Sequence, residues 1–365
     1  MKGKVFSFGL VENPNSVEKR GQKWVSWGQG NDYPSYLQDL AQDSALHSSI
    51  LKSKLDNIVG EGLRSKSHPE VLRFANSDGE SWDDIMYKIT KDFVLYGGFA
   101  LNVVHTNSRD TIEVFHLDYS YVRPGKKDED DRISEYYYST KWNNTKKYPP
   151  KRYESFSMMS EEDSTIFCYT PYVSGREYFP IPDYSGGIPA INLGISIEKY
   201  HNFNLNSGMS PSLWVHLPTE LETDEELNDF YRNIQDNYSG IENAGKFILT
   251  TSDGIDLKPQ IETITTSVND EYYTSVYELV KTNVLASHRL TSGLLIGIRD
   301  SSGLGSNKDE IITAQTHYLN TTIKPYQDQI ISTIKRFLRI NLNGLNLDLY
   351  IEKNKLFDED GELNV

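Results

Sequence analysis

NYSGIENAGKFILTT, residues 237–251, sets Gly240, four further residues, and then Gly245 and Lys246 in the order used by loops that cradle nucleotide phosphates. Such a loop is fed by a strand and empties into a helix, whose N-terminal N–H groups and dipole surround the phosphates. The order is reversed here. Before Gly240 stands TDEELNDFYRNIQDNY, in which Thr223 and Glu226 form a capping box and Leu227, Phe230, Tyr231, Ile234 and Tyr238 make one apolar stripe at helical spacing. After Lys246 comes the β-like FILTT, with Phe247 where magnesium would need a hydroxyl. The stretch reads as a helix-to-strand connection turned at Gly240 and Gly245, and a phosphate-loop enzyme becomes the weakest reading of the chain.

Toward the C-terminus, a turn at Asp253–Gly254 leads to a helix beginning near Ser267, with Asp270 and Glu271 in its first turn and Val276, Val280 and Val284 four apart. His288 and Arg289 end it with the charge sign that a helix C-terminus favours. The glycine- and serine-rich GLLIGIRDSSGLGSNKDE then precedes a periodic stretch from about Lys308 to Arg339, which Pro325 should kink. Toward the N-terminus, LGISIEKYHNFNLNSG reads as a helix. REYFPIPDYSGGIPAI, with Pro180, Pro182 and Pro189, reads as an extended linker between architectural units.

The first half is more mixed. Residues 1–32 read as an arm or edge strands; helical spacing from Leu37 to Val59, stopped by Gly60 and Gly62, fits one helix or a broken pair. SWDDIMYKITKDFVLYGG is a helix opened by Ser81 and Asp84 and closed by Gly97-Gly98, and FALNVVH and TIEVFHL alternate as strands. RISEYYYST and STIFCYT are shorter strands on either side of a loop, WNNTKKYPPKRY.

With 365 residues, 37% hydrophobic, the chain has material for one large or two ordinary domains. Its 52 acidic against 37 basic residues give a net charge of −15, so any contact with DNA must be local or weak. Cys168 is the single cysteine, the N-terminus lacks a signal-peptide core, and no apolar run reaches membrane-spanning length, which together suggest a protein made in a reducing cytoplasm. The eight histidines show no His-x3-His pair, DSSG at 300–303 lacks a nucleophile elbow, and DEDD at 128–131 and DEDG at 358–361 lack calcium-loop spacing. No catalytic, metal or cofactor residue is assigned.

REYFPIPDYSGG, NSGMSPS, the capped acidic helix, YSGIENAGKFIL, DEYYTSVYELVKTNVLASHRLTSGLLIGI, a Gly/Ser loop and NKDEIITAQTHYLNTTIKPYQDQI, in that order, resemble the portal proteins of tailed bacteriophages over roughly residues 30–340. The resemblance implies an α+β portal-type fold. A mixed α/β wing would cover 1–190, stem helices 191–209 and 267–289, and a small α/β clip 210–266. The tunnel loop and long kinked helix, the second part of the wing, would occupy 290–345, and 346–365 would be a short tail with the crown reduced or absent. It also implies a non-enzymatic, cofactor-free, twelve-fold homo-oligomeric ring at one capsid vertex, assembled in the host bacterial cytoplasm and carried in the virion. Double-stranded DNA would pass through it without sequence-specific contact. Terminase large subunit, neck or adaptor protein and major capsid protein would be its partners, with no membrane.

Carried onto this chain, the tunnel loop contains Arg299, Ser301, Ser302, Gly303 and Gly305 and is followed by Lys308. Arg299 and Lys308 would give weak phosphate contacts. In the clip, Glu220, Glu222, Asp224, Glu225 and Glu226 have two readings, complementing a helix dipole or forming a docking patch for a basic partner. A different non-enzymatic virion or surface-binding module remains the alternative, suggested by 24 tyrosines and an aromatic, β-rich first half.

Overall fold

Apolar periodicity between residues 33 and 59 resolves into two helices, Tyr33–Asp43 (α1) and Ala45–Val59 (α2). Ser44 alone separates them: it is extended, and its Oγ accepts from the His47 N–H at 3.3 Å, which starts α2. The chain is described here by a computed structural model over residues 15–206, 212–217, 247–251, 260–264, 270–298 and 308–354. It divides into one unit formed by 1–191 with 283–365 and a second formed by 192–282.

In the first unit, short strands Ser16–Glu18 (β1) and Val25–Trp27 (β2) pair antiparallel ahead of α1, as edge strands were expected to. Leu63–Ser65 (β3) follows α2. Trp82–Tyr96 (α3) carries the expected reciprocal cap, with the Asp84 N–H donating to Ser81 Oγ at 3.1 Å and the Ser81 N–H to Asp84 Oδ2 at 2.9 Å. It stops at Gly97, whose φ of 82° is left-handed. A Cβ there would also sit 2.8 Å from the Ile181 carbonyl. Gly97→Ala is therefore expected to destabilise this unit by about 1–3 kcal/mol, read as a lower urea midpoint at unchanged slope.

Six strands form the main sheet: Phe99–His105 (β4), Ile112–Leu117 (β5), Val122–Pro124 (β6), Glu135–Tyr138 (β7), Lys151–Ser155 (β8) and Ser164–Tyr169 (β9). Their spatial order is β5-β4-β9-β8-β7-β6, and every neighbouring pair is antiparallel except β8 and β9. One face is covered by helices. Phe99, on β4, meets Phe93 of α3, and Phe167, opposite Leu101, meets Phe337 of a C-terminal helix at 5.2 Å between ring centres. At another end of the core, Trp27 is fully buried, stacked on Phe179 at 4.5 Å and edge-on to Tyr119 at 5.5 Å.

Two sequence expectations fail here. Lys151, Arg152 and Tyr153, expected in a loop, begin β8, because two neighbouring strands supply partners for a segment with no apolar alternation of its own. REYFPIPDYSGG is not a free linker: Tyr178, Phe179 and Tyr184 are buried in the first unit, and the next helix, Ile188–Asn206 (α4), already contains Pro189 in its first turn, where a missing N–H costs nothing.

In the second unit, Ser212–Leu217 (β10) is flanked by Phe247–Thr251 (β11), parallel, and Gln260–Ile264 (β12), antiparallel. The expected strand after Lys246 is present. The capped helix expected over 223–238, and Gly240, Gly245 and Lys246, lie outside the described residues. Asp270–Ser287 (α5) leads back to the first unit.

Lys308–Tyr318 (α6), a π-helical turn over Leu319–Ile323, and Lys324–Asn341 (α7) make the interrupted C-terminal helix. The interruption lies just upstream of Pro325, because a proline cannot donate to the carbonyl four residues back and the ladder must widen to pass it. The stretch after it is not simply a tail. Leu349–Ile351 (β13) pairs antiparallel with β3, and Leu347, Leu349 and Ile351 are buried; residues 355–365 lie outside the described residues.

Candidate functional site

Of the site residues expected from sequence, Arg299, Ser301, Ser302, Gly303 and Gly305 lie outside the described residues, as do Glu220, Glu222, Asp224, Glu225 and Glu226. Lys308 is the first residue of α6. What the structure does describe is the framework that holds the two ends of 299–307.

On the upstream side, Ser292 Oγ accepts from the Leu294 N–H at 3.2 Å and starts a 3-10 turn over Gly293–Ile296. Gly297, at φ 79°, closes it, and the Ile298 N–H returns to Gly293 O at 2.9 Å. This knot fixes the chain immediately before Arg299. Thr291 Oγ1 donates to Ala314 O in α6 at 3.4 Å, linking it to the downstream side.

Beneath the knot is a buried polar cluster. On α2, His47, Ile50, Lys54 and Ile58 share one buried face. Lys54 is fully buried; its Nζ donates to Asp183 Oδ2 at 2.5 Å and stands 5.2 Å from the centre of the Tyr326 ring in α7. His47 Nδ1 and His288 Nε2 are 2.9 Å apart, with Tyr184 against both rings and its hydroxyl donating to Leu95 O at 2.6 Å. Four chain segments are thus joined: α2, the Pro180–Tyr184 stretch, the end of α5 and the kinked helix. At the far end of α2, Gln327 Nε2 of α7 donates to the Ile58 carbonyl at 3.0 Å, satisfying a terminal acceptor that has no helical partner.

The electrostatics follow from burial. Desolvation lowers the His47 pKa to about 4, helped by the Lys54 charge, and holds His288 well below its usual value with the same neighbour contributing. At neutral pH both imidazoles are uncharged, so one donates and the other accepts. Burial also lowers the Lys54 pKa, and the Asp183 carboxylate opposes that shift. His288 and Arg289 therefore do not complement a helix dipole as expected: α5 ends at Ser287, His288 is buried and neutral, and Arg289 occupies a left-handed turn at φ 58°. This cluster is a clamp rather than an open reaction centre, because Lys54 is already engaged by Asp183 and sealed from solvent.

A second feature is the charge of α7. Lys324, Lys335, Arg336 and Arg339 face only one acid of that helix, Asp328, in a chain of net charge −15. Lys324 is paired with Asp328 at 2.8 Å, while Lys335, Arg336 and Arg339 line an open groove of about 650 Å³ together with that Asp328, Ile331, Ser332, Asn346 and Leu349. The Arg336 guanidinium lies 5.2 Å from the centre of the Phe167 ring.

No protein-family model matches the chain. No curated protein matches it either. Solved structures do. A chain in the virion of a native gene transfer agent particle matches with a TM-score of 0.57 at 13% identity, covering 90% of this chain and 85% of that one. A chain in the neck of the native particle, computed with C12 symmetry, matches with a TM-score of 0.58 at 14% identity over 95% of this chain and 87% of that one. The chain has the fold of these phage-like particle chains. The α+β, portal-type expectation from sequence is consistent with that fold, as is a further match to the neck of an empty particle computed with C6 symmetry, at a TM-score of 0.59 and 14% identity over 90% of this chain and 86% of that one. The Lys54, Asp183, His47 and His288 cluster was not legible in the sequence. Its one local signal was a lysine and a histidine on the apolar stripe of α2.

Proposed function

We propose that this chain is the portal subunit of a phage-like particle, a ring-forming, non-enzymatic conduit for double-stranded DNA at one capsid vertex. The observation that carries the reading is a fold shared over nine-tenths of the chain with particle-neck chains, one of them in a twelve-fold symmetric assembly. The order of sequence motifs supports it independently. Under this reading residues 1–190 and 290–345 form the wing, α4 and α5 lie in the stem, the sheet of β10, β11 and β12 belongs to the clip, and 297–307 is the tunnel loop. Terminase large subunit and a neck or adaptor protein dock at the clip, major capsid protein surrounds the ring, and assembly takes place in the bacterial cytoplasm before the ring is carried in the virion. A net acidic chain suits a channel through which duplex must slide, since each neutralised phosphate adds salt-sensitive affinity and hence friction.

Electron microscopy of the purified protein at several concentrations tests the ring: top views with a central hole are expected, and particles without one speak against it. Replacing both Arg299 and Lys308 with alanine is expected to weaken packaging or retention of DNA without altering ring formation; unchanged packaging and retention reject their role. Reversing the charges of Glu220, Glu222, Asp224, Glu225 and Glu226 is expected to lower adaptor affinity and flatten its salt dependence. If neither changes, those acids serve only the local helix dipole.

A further inference from the structure

We propose that the turn carrying Met158 and Met159 on one copy of this chain seats in the apolar groove between α2 and α3 of the adjacent copy. The inference rests on the ring reading above and adds to it a specific pair of surfaces.

The groove is a cavity of about 300 Å³ on the outer side of these helices. Leu55 and Val94 form its buried floor, Leu51 and Leu95 its half-buried sides, and Tyr87, 47% exposed, one lip. Lys52 and Lys91 stand on its rim against one carboxylate, Asp56. It is thus apolar inside and net positive at the edge.

The turn after β8 has the complementary composition. Met159 is 93% exposed and Met158 48%, on a backbone that is not free to retract them. Phe156 is buried beneath; the Ser160 N–H donates to Ser157 O at 3.1 Å, Arg109 Nη1 donates to Ser160 O at 2.8 Å, and the His105 N–H donates to Asp163 O at 2.8 Å. A fixed turn presenting two unbranched, adaptable side chains to water is a contact feature, because methionine fills irregular apolar gaps at little conformational cost. Glu161 and Glu162, both exposed, follow directly and would face Lys52 and Lys91. Among the described residues of the first unit two other large apolar side chains are more exposed than Met158, Phe74 and Tyr172; Leu279, 56% exposed, belongs to the second unit. Phe74 adjoins Arg73, the wrong sign for this rim, and the residues beside Tyr172 carry no acid.

The turn and the groove are different surfaces of one chain, so the contact is head-to-tail, the kind that closes into a ring rather than a two-fold dimer. In the full chain, Met159→Cys combined with Leu51→Cys is expected, on treatment with a short thiol crosslinker, to give a ladder of covalent multimers up to the ring size. With the half-buried Cys168 replaced by serine throughout, each single variant should give none. As a second measurement, Lys52→Glu with Lys91→Glu should raise the concentration needed for ring assembly at least tenfold, and Glu161→Lys with Glu162→Lys should restore it. Rings seen by microscopy with neither a ladder nor a charge-swap effect, or a ladder formed by Phe74→Cys or Tyr172→Cys with Leu51→Cys instead, would overturn this pairing and leave the ring reading intact. Absence of rings under all conditions would overturn both.

Discussion

Asp183→Ala is expected to lower the stability of the first unit by about 3–5 kcal/mol, because it strips the counter-charge from a lysine that has no access to water. The wild-type pair itself adds little net stability, since desolvating both groups offsets most of their attraction. The variant has a second signature. With Asp183 gone, the desolvation that already lowers the Lys54 pKa acts unopposed, so folding would favour the neutral amine. A group whose folded pKa lies below its unfolded one costs stability while charged and ceases to cost as pH rises toward the free lysine value, so Asp183→Ala should recover stability with rising pH more steeply than the parent, in which Asp183 opposes the shift. Lys54→Met in the same chain should restore most of the loss at pH 7, replacing a stranded charge with an apolar stem of similar length. Urea unfolding followed by tryptophan emission reads this directly, as Trp24, Trp27, Trp82 and Trp142 lie in the first unit and only Trp214 in the second. A single variant as stable as the parent would show that water reaches Lys54.

The second large effect is acid sensitivity well above the carboxylate range. His47 has a pKa of about 4 in the fold against an ordinary 6.5. Above pH 6.5 it is neutral in both states and contributes no pH dependence. As pH falls below 6.5 the unfolded chain takes up a proton that the fold refuses, so stability should drop by about 1.4 kcal/mol per pH unit, or about 3 kcal/mol by pH 4. His288 shifts in the same direction and adds to the slope. Lys54 sets the repulsion a proton would meet, and Asp183 softens it. Asp92, whose pKa is raised by burial, works the other way, so the useful comparison is with a His47→Leu, His288→Leu variant, in which the Asp92 effect persists and the histidine slope vanishes. Equal slopes in the two proteins between pH 6.5 and 5 would reject the assignment.

What could be read from sequence divides along a physical line. Ser81 and Asp84 announced α3 and Gly97 its end because caps are local chemistry, and β4 and β5 followed from alternation around a polar turn. Pro325 announced the break in the C-terminal helix, although not the π-turn that accommodates it. β8 was missed because Lys151 and Arg152 carry no alternation, and only the strands on either side make them β. The start of α4 was missed because Pro189 was read as a breaker when it occupies a first turn. The clamp was missed for a different reason: His47 and His288 are 241 residues apart and Lys54 and Asp183 129 apart, and no local pattern encodes such meetings. The fold class was legible in the order of helices, strands and turns, although identity to the solved structures sharing the fold is only 13–14%.

The pairing of β3 with β13 bears on how the molecule is made. Ser65 meets Leu349, so the first unit is stitched from two stretches of chain that leave the ribosome far apart in time. At about 5–20 residues per second, on the order of a quarter of a minute or more separates them. The second unit is one uninterrupted run and can close as it emerges, while the surface that Phe337, Ile330 and Leu349 will cover stays wet. Folding of the first unit therefore waits for late-made residues and is rich in long-range closures, which slows it and leaves apolar surface exposed meanwhile. Under the ring reading proposed above, a chain whose β13 has not yet docked on β3 would present an unfinished first unit to its neighbours.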